Sequence, residues 1–145
     1  MASIFEISPA VQDTLLATLA GLFNGGKLNI YGGTVPASCG AALGSAVLLR
    51  SIGDGTGISF EPVPVSGMIV KSTSEDWSAP NVATGTATFY RFVTQADDGL
   101  ASDIQPRLQG SVGLLDADLI LGSINLVIGV TDPSIGIYMV GLPAA

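Results

Sequence analysis

Hydrophobic residues recur every three or four positions near the N-terminus, over residues 8–24. This stripe consists of Val11, Leu15, Leu19, Leu22 and Phe23. Ser8 can act as an N-cap, Pro9 suits the first helical position, and Gly25 and Gly26 can end a helix. The pattern predicts one amphipathic α-helix. Its apolar stripe either covers the following sheet or docks on a neighbouring subunit.

After residue 26 the apolar runs become short and are separated by turn-forming residues such as Gly53-Asp54-Gly55 and Asp132-Pro133. These runs predict strands over residues 27–31, 46–51, 58–60, 68–71, 84–94, 107–112, 118–121, 125–130 and 135–140. We expect a mainly β fold, an antiparallel β-sandwich or jelly-roll-like barrel with the N-terminal helix. Residues 1–145 form one predicted domain, with the sandwich over 27–140 and a C-terminal arm over 135–145.

The longest predicted strand, residues 84–94, has apolar character on both faces, which is typical of a strand in the middle of an assembly. Gly85 and Ala87 leave room for a close approach on one face. Arg91 shares that face with Phe89. We therefore expect either a bulge that turns Arg91 outward, or a buried Arg91 with a carboxylate partner.

Composition points to a protein that associates with other chains. Of the 145 residues, 48% are hydrophobic and only 12% are charged, against roughly 25% charged residues in an average domain. A monomer would have difficulty covering its surface with so few charges. The net charge of −7, with five scattered basic residues, makes nucleic acid an improbable partner. The apolar runs are too short to cross a membrane, and we expect no signal peptide.

Side chains suited to catalysis are scarce. The chain has no histidine, which removes the commonest general base. Its single cysteine, Cys39, cannot form an internal disulfide, and we expect a small buried hydrophobe there. Asp97-Asp98 and the pair Asp116 and Asp118 are the remaining candidates, for calcium or glycoside hydrolysis, but aspartates of this kind most often begin turns. We predict no catalytic, cofactor-binding or metal site.

Trp77 is the most distinctive residue of the predicted loops. It has three interpretations: an anchor in a subunit contact, a stacking platform for a sugar together with Tyr31, or a ring folded over the edge of the sandwich. The sugar platform belongs to an alternative function, a carbohydrate-binding or adhesin-type β-sandwich module.

Four landmarks along residues 8–130 carry a resemblance to a known group. Leu28-Asn29-Ile30-Tyr31-Gly32-Gly33-Thr34-Val35-Pro36 resembles an "L-x-I-Y-x-G-x-x-P" opening, and the apolar run 46–49 follows it. Residues 85–92, GTATFYRF, are similar to a "G-T-A-T-W-F-R" strand, with Phe89 where the group has tryptophan. Residues 110–113 and 117–121 resemble a "G-S-V-G…A-D-L-x-L" run. The group is that of small tailed-bacteriophage virion proteins.

That resemblance implies an accessory β-domain, a decoration or cement protein of the head or a component of the neck, collar or tail. We expect a non-enzymatic homo-oligomer in the virion, assembled in the bacterial cytoplasm, whose partners are other copies of itself and capsid, portal or tail proteins. The candidate interface residues are Val11, Leu15, Leu19, Trp77, Ile135, Ile137, Tyr138 and Leu142. The run 135–142 is the candidate arm for joining neighbours.

Overall fold

Helix α1 spans Pro9–Phe23 in the computed structural model, which describes residues 4–142. Ser8 is its N-cap, and the side-chain oxygen of Ser8 accepts a hydrogen bond from the backbone N–H of Val11. The backbone N–H of Asn24 closes the last turn on the carbonyl of Ala20. The predicted helix and its capping residue are confirmed.

Strands follow in the order that the alternating pattern predicts, with changed bounds. They are β1 (Lys27–Gly32), β2 (Val47–Ile52), β3 (Met68–Val70), β4 (Gly85–Val93), β5 (Arg107–Gly113), β6 (Leu119–Ile120), β7 (Asn125–Leu126) and β8 (Met139–Gly141). The main sheet has the order β2-β1-β4-β5-β6, and β7 pairs with the start of β4. Strands β3 and β8 form a separate two-stranded ribbon. The fold is mainly β and sandwich-like with one N-terminal helix, as predicted.

Pairing is antiparallel except between β5 and β6, which are parallel. The strand predicted over 58–60 is wrong, because Ile58 and Phe60 make only isolated bridges. The strand predicted over 125–130 ends at Leu126, since the chain turns at Gly129, whose φ is 83°. The strand predicted over 135–140 begins only at Met139.

One face of the main sheet carries the hydrophobic core. The ring of Phe92 on β4 lies 5.3 Å from Phe60, 5.9 Å from Trp77, 6.1 Å from Tyr138 and 5.7 Å from Phe23 of α1, measured between ring centroids. Helix, loops and ribbon therefore meet the sheet at one aromatic cluster. Contacts of this size bury large apolar areas and dominate the stability of a small domain.

The opposite face of the sheet is covered by two loops, residues 36–43 and 97–105, and its central residues are polar. Strand β4 lies between β1 and β5 and is buried from Phe89 to Val93, so its central place within the domain is confirmed. Its place in an assembly of several chains stays a prediction. Gly85 is also placed as expected, because a Cβ there would stand 2.9 Å from Cδ2 of Leu49.

Candidate functional site

The outer face of α1 is apolar and exposed. Val11, Leu15 and Leu22 are 46, 47 and 53% exposed. The inward face is a different one and consists of Leu16, Ala20 and Phe23, with Leu19 half-buried beside them. Of the two alternatives for the predicted stripe, coverage of the sheet by the whole stripe is therefore wrong, and docking on a neighbouring subunit stays a prediction. Apolar residues lie on both sides of this helix, and the sequence periodicity grouped residues from the two sides.

A second exposed apolar region surrounds the edge strand β6. A cleft of about 830 Å³, here called the β6 cleft, is bordered by Leu114, Leu115, Ile120 and Ile135. Ile120 also borders a neighbouring concavity of about 450 Å³, together with Ile137 and Met139. Leu115 is 84% and Ile137 is 71% exposed. Exposed apolar patches of this kind usually mark surfaces that contact other molecules.

The β6 cleft also contains a buried charge. Arg50 borders it, is only 1% exposed, and forms an ion pair with Asp132. Asn81 accepts a hydrogen bond from Arg50 Nε and donates one to Asp132 through Nδ2. Burial lowers the pKa of Arg50, and the Asp132 carboxylate opposes that effect. Arg50 and Asp132 each bind the other and Asn81, so the ion pair is a fixed polar element in a largely apolar wall.

Trp77 is not a surface residue. It is fully buried against Phe60, Phe92 and Tyr138, and its indole N–H donates to Glu75 Oε1 over 3.2 Å. Lys71 Nζ lies 5.5 Å from the centre of the ring. The prediction of Trp77 as an interface anchor is therefore wrong, and its ring cannot serve as a sugar platform. Tyr31, the second residue of that platform, is 6% exposed.

The run 135–142 packs against the rest of the same chain and does not extend away from it as an arm. Ile135 and Tyr138 are buried at 4 and 2% exposure, and Leu142 packs half-buried against the core. Backbone hydrogen bonds tie Ile135 to Trp77 and Tyr138 to Lys71. Of the candidate interface residues in this run, Ile137 alone is exposed. The arm prediction is thus wrong for residues 135–142, and 143–145 lie outside the described residues.

The aspartate candidates are engaged in local structure. Asp97 pairs with Arg107, and Asp118 accepts hydrogen bonds from the backbone and hydroxyl of Ser111. Asp116 has a φ of 52°, so residues 116–118 do not form the extended segment that would place both carboxylates on one face. Among residues 4–142 no group of three or more acidic or cysteine side chains has the arrangement of a metal site.

A row of polar side chains crosses the covered face of the sheet. Ser51, Asn29, Arg91 and Gln109 are direct cross-strand neighbours on β2, β1, β4 and β5. Ser51 donates to Asn29 Oδ1 over 2.6 Å, and Arg91 Nε donates to Gln109 Oε1 over 2.9 Å. We call these four residues the polar row. Each lies on the face of the sheet that the loops cover, and apolar residues are more usual at covered positions.

The 36–43 loop is bound to the polar row through its carbonyl groups. Arg91 Nη2 donates to the carbonyls of Ser38 and Ala41, and Gln109 Nε2 donates to that of Pro36. Of the two alternatives for Arg91, the bulge that turns it outward is wrong, whereas the buried position is confirmed without the expected carboxylate partner among residues 4–142. Arg91 is 1% exposed on a regular stretch of β4, and within residues 4–142 its partners are carbonyls and an amide instead of a carboxylate.

Arg107 of β5 binds both of the loops that cover this face of the sheet. It pairs with Asp97 through two hydrogen bonds of 2.7 and 3.1 Å, and it donates to the carbonyls of Cys39 and Leu100. Cys39 itself is exposed, so the prediction of a buried cysteine is wrong. Its backbone is held by Arg107 while its side chain lies on the outside of the loop.

Sequence reasoning singled out Arg91 but missed the rest of the polar row. A usable signal existed: Asn29, Arg91 and Gln109 each interrupt an otherwise apolar or small-residue strand. Only the register of the sheet shows that these interruptions are neighbours.

The basic residues are largely withdrawn from the surface. All five lie within the described residues, and Arg50, Lys71, Arg91 and Arg107 are buried. Lys27 is half-buried and pairs with Asp54. Most acidic side chains remain outside, so the surface combines apolar patches with negative charge.

Comparisons with known proteins add no relationship: the chain matches no family model, no curated protein and no solved structure. None of the helices within residues 4–142 has the length and hydropathy needed to cross a membrane.

Proposed function

We propose that this protein is a non-enzymatic structural component of a tailed-phage virion, an accessory protein that self-associates and coats or stabilises the capsid, neck or tail. The observation that carries the proposal is the exposed apolar face of α1, formed by Val11, Leu15 and Leu22. The core is supplied by the opposite side of the helix. Polar residues on the outer face would therefore serve the folding of the domain equally well.

Covering that face is favourable. Fully burying one leucine or valine side chain is worth about 1.5–3 kcal/mol, so covering the exposed halves of three such side chains is worth several kcal/mol. A further apolar surface at the β6 cleft extends the area available to neighbours. Repeated contacts of this kind suit a protein that assembles into a lattice or ring.

The charge distribution favours protein partners. Because the basic side chains are buried or paired, the exposed charge is mostly negative and repels phosphate groups. Like charges on approaching copies repel, and salt screens that repulsion. Self-association through apolar contact is thus expected to strengthen as salt concentration rises. The phage assignment itself comes from the resemblance along residues 8–130.

Light scattering over a concentration series tests the self-association. We expect the wild-type mass to exceed that of one 14.6 kDa chain. Leu15→Ser should raise the dissociation constant about tenfold or more, because roughly 1.4 kcal/mol corresponds to a factor of ten. Ala17→Ser, an exposed position on the same helix, is the matched control. A wild-type monomer at the highest concentration would overturn self-association.

Mass spectrometry tests the location. Phage particles released from the host that encodes the chain would be purified on a density gradient, digested and searched for its peptides. Peptides that co-sediment with particles in stoichiometric amounts are the expected result. Particles that lack them would refute the virion assignment, whatever the oligomeric state.

A further inference from the structure

A small cavity lies over the polar row, on the side of the sheet away from the aromatic core. Its volume is about 130 Å³, and Asn29, Tyr31, Arg91, Asp97 and Asp98 contribute to its wall. Asp98 is exposed, so the cavity opens at the rim formed by the 97–105 loop. The volume is well below the roughly 300–1,000 Å³ of sites for drug-sized ligands. A sugar ring or nucleotide does not fit there.

Arg91 brings an incompletely paired charge to this cavity. Its Nε is bonded to Gln109, and its Nη2 is bonded to the carbonyls of Ser38 and Ala41. Nη1 is buried and has no hydrogen-bond partner among residues 4–142. A buried donor on a charged group is costly to leave without an acceptor.

The buried charges around the cavity do not cancel. Arg91 is 1% exposed, and the side chains of Arg107 and Asp97 are 1 and 3% exposed. Asp97 is the single buried carboxylate in the cavity wall and already receives two hydrogen bonds from Arg107. Asp98 is 55% exposed and stands 3.8 Å from Arg107. Burial first, and then the charge of Arg107, lower the pKa of Arg91. The two guanidinium and two carboxylate charges sum to zero, but both carboxylates face Arg107, and neither is hydrogen-bonded to Arg91.

Tyr31 supplies a second donor. Its hydroxyl oxygen accepts a hydrogen bond from Asn29 Nδ2 over 3.3 Å, which leaves the hydroxyl proton to donate. Stacking on Phe89, with ring centroids 5.0 Å apart, holds the ring in place. Burial raises the pKa of Tyr31, so the phenol keeps its proton at neutral pH.

We propose that this cavity binds a carboxylate group, with one oxygen accepting from Arg91 Nη1 and the other from the Tyr31 hydroxyl. A carboxylate matches the two donors, the buried Arg91 guanidinium that has no acidic hydrogen-bond partner among residues 4–142, and the size of the cavity. It can come from a free small acid or from an Asp or Glu side chain of a neighbouring copy. The chain's own net charge of −7 keeps the affinity for a free anion modest.

The test measures the midpoint of thermal unfolding, Tm, while sodium formate replaces sodium chloride at constant ionic strength. Wild-type Tm should rise by about 4 °C at ten times the dissociation constant and continue to rise with the logarithm of the formate concentration above it. Asn29→Asp places a carboxylate directly across the strand pair from Arg91, so this variant should lose the formate response. Asn125→Asp makes the same charge change at an exposed position and should keep it.

A second variant covers the case in which Asn29→Asp does not fold. Tyr31→Phe keeps the ring stack and removes one donor, so it should weaken the formate response about tenfold in apparent affinity. A wild-type protein without any formate response, or an equal response in Asn29→Asp and wild type, would overturn the free-acid arm. Light scattering decides the other arm.

If a neighbouring copy supplies the carboxylate, formate should compete with it and lower the solution mass in the concentration series. An unchanged Tm together with an unchanged mass would show that no carboxylate occupies the cavity, and the proposal would fail. Because Leu15→Ser leaves the polar row intact, its effect on the mass separates this outcome from failure of the proposed self-association.

Discussion

Replacing Asp97 by asparagine should destabilise the protein far more than the same change at its neighbour Asp98. The side chain of Asp97 is 3% exposed and forms an ion pair with Arg107 through two hydrogen bonds, of 2.7 and 3.1 Å. Asp98 is 55% exposed and lies 3.8 Å from the same guanidinium. The two variants change the net charge equally and sit one residue apart, so only burial and geometry distinguish them.

The magnitude follows from what the substitution leaves behind. Removing one partner of a buried ion pair costs about 3–5 kcal/mol, because the other charge stays buried without compensation. Asparagine keeps an oxygen for the hydrogen bond from the Gly99 backbone, 2.7 Å in the wild type, so we expect the lower end, about 3 kcal/mol. For a chain of 145 residues this corresponds to a fall in Tm of about 10 °C.

Urea unfolding followed by fluorescence provides the assay. Trp77 is the single tryptophan and is fully buried, so its emission reports the unfolding of the core. The midpoint of Asp97→Asn should shift strongly with an unchanged slope, and that of Asp98→Asn should stay close to wild type. Equal shifts in the two variants would refute the argument that the Asp97 and Arg107 pair fastens the loops over the polar row.

Three further predictions concern other regions. Gly110→Ala should lower the free energy of unfolding by about 1–3 kcal/mol, because its Cβ would stand 2.7 Å from the Tyr90 ring. Gly21→Ala, on the open side of α1, should raise it by about 0.5–1 kcal/mol. Chemical denaturation measures both, and the reverse order would contradict the packing. Burial raises the pKa of all three tyrosines. The free energy of unfolding should therefore fall as pH rises above about 10, where the tyrosines of the unfolded state ionise. Tyrosinate absorbance should appear together with the change in Trp77 fluorescence that marks unfolding, and not before it. Cys39 should react with a thiol reagent in the folded protein at a rate close to that of a free thiol; protection until unfolding would show that the 36–43 loop is packed differently.

The N-terminal helix shows how far the sequence pattern reached. Ser8 and Pro9 marked its start correctly, since capping involves residues only three positions apart. The buried face was misassigned, because apolar residues occur on both sides of α1 and periodicity alone does not rank them. The sheet below the helix selects Leu16 and Phe23, and this leaves Leu15 outside.

Trp77 and Arg91 show the same limit in two other ways. Local sequence placed Trp77 in a loop, which is correct, but its ring is buried by Phe60 and Tyr138 from distant parts of the chain. Arg91 was expected to need a carboxylate if buried. Its partners are carbonyl groups of a loop 50 and 53 positions away in the chain, and no local rule identifies them.

Local sequence and composition were enough to predict the mainly β class, the helix with its cap, the central place of the 85–93 strand and the low number of charged residues, because these depend on neighbouring residues or on composition. The tertiary structure decided which helix face is exposed, how residues 135–142 pack, and that four strands align Ser51, Asn29, Arg91 and Gln109 in one row. Strand order and register bring together residues that are far apart in the chain. Their pairing depends on the packing of the whole domain, and no short stretch of sequence contains that information.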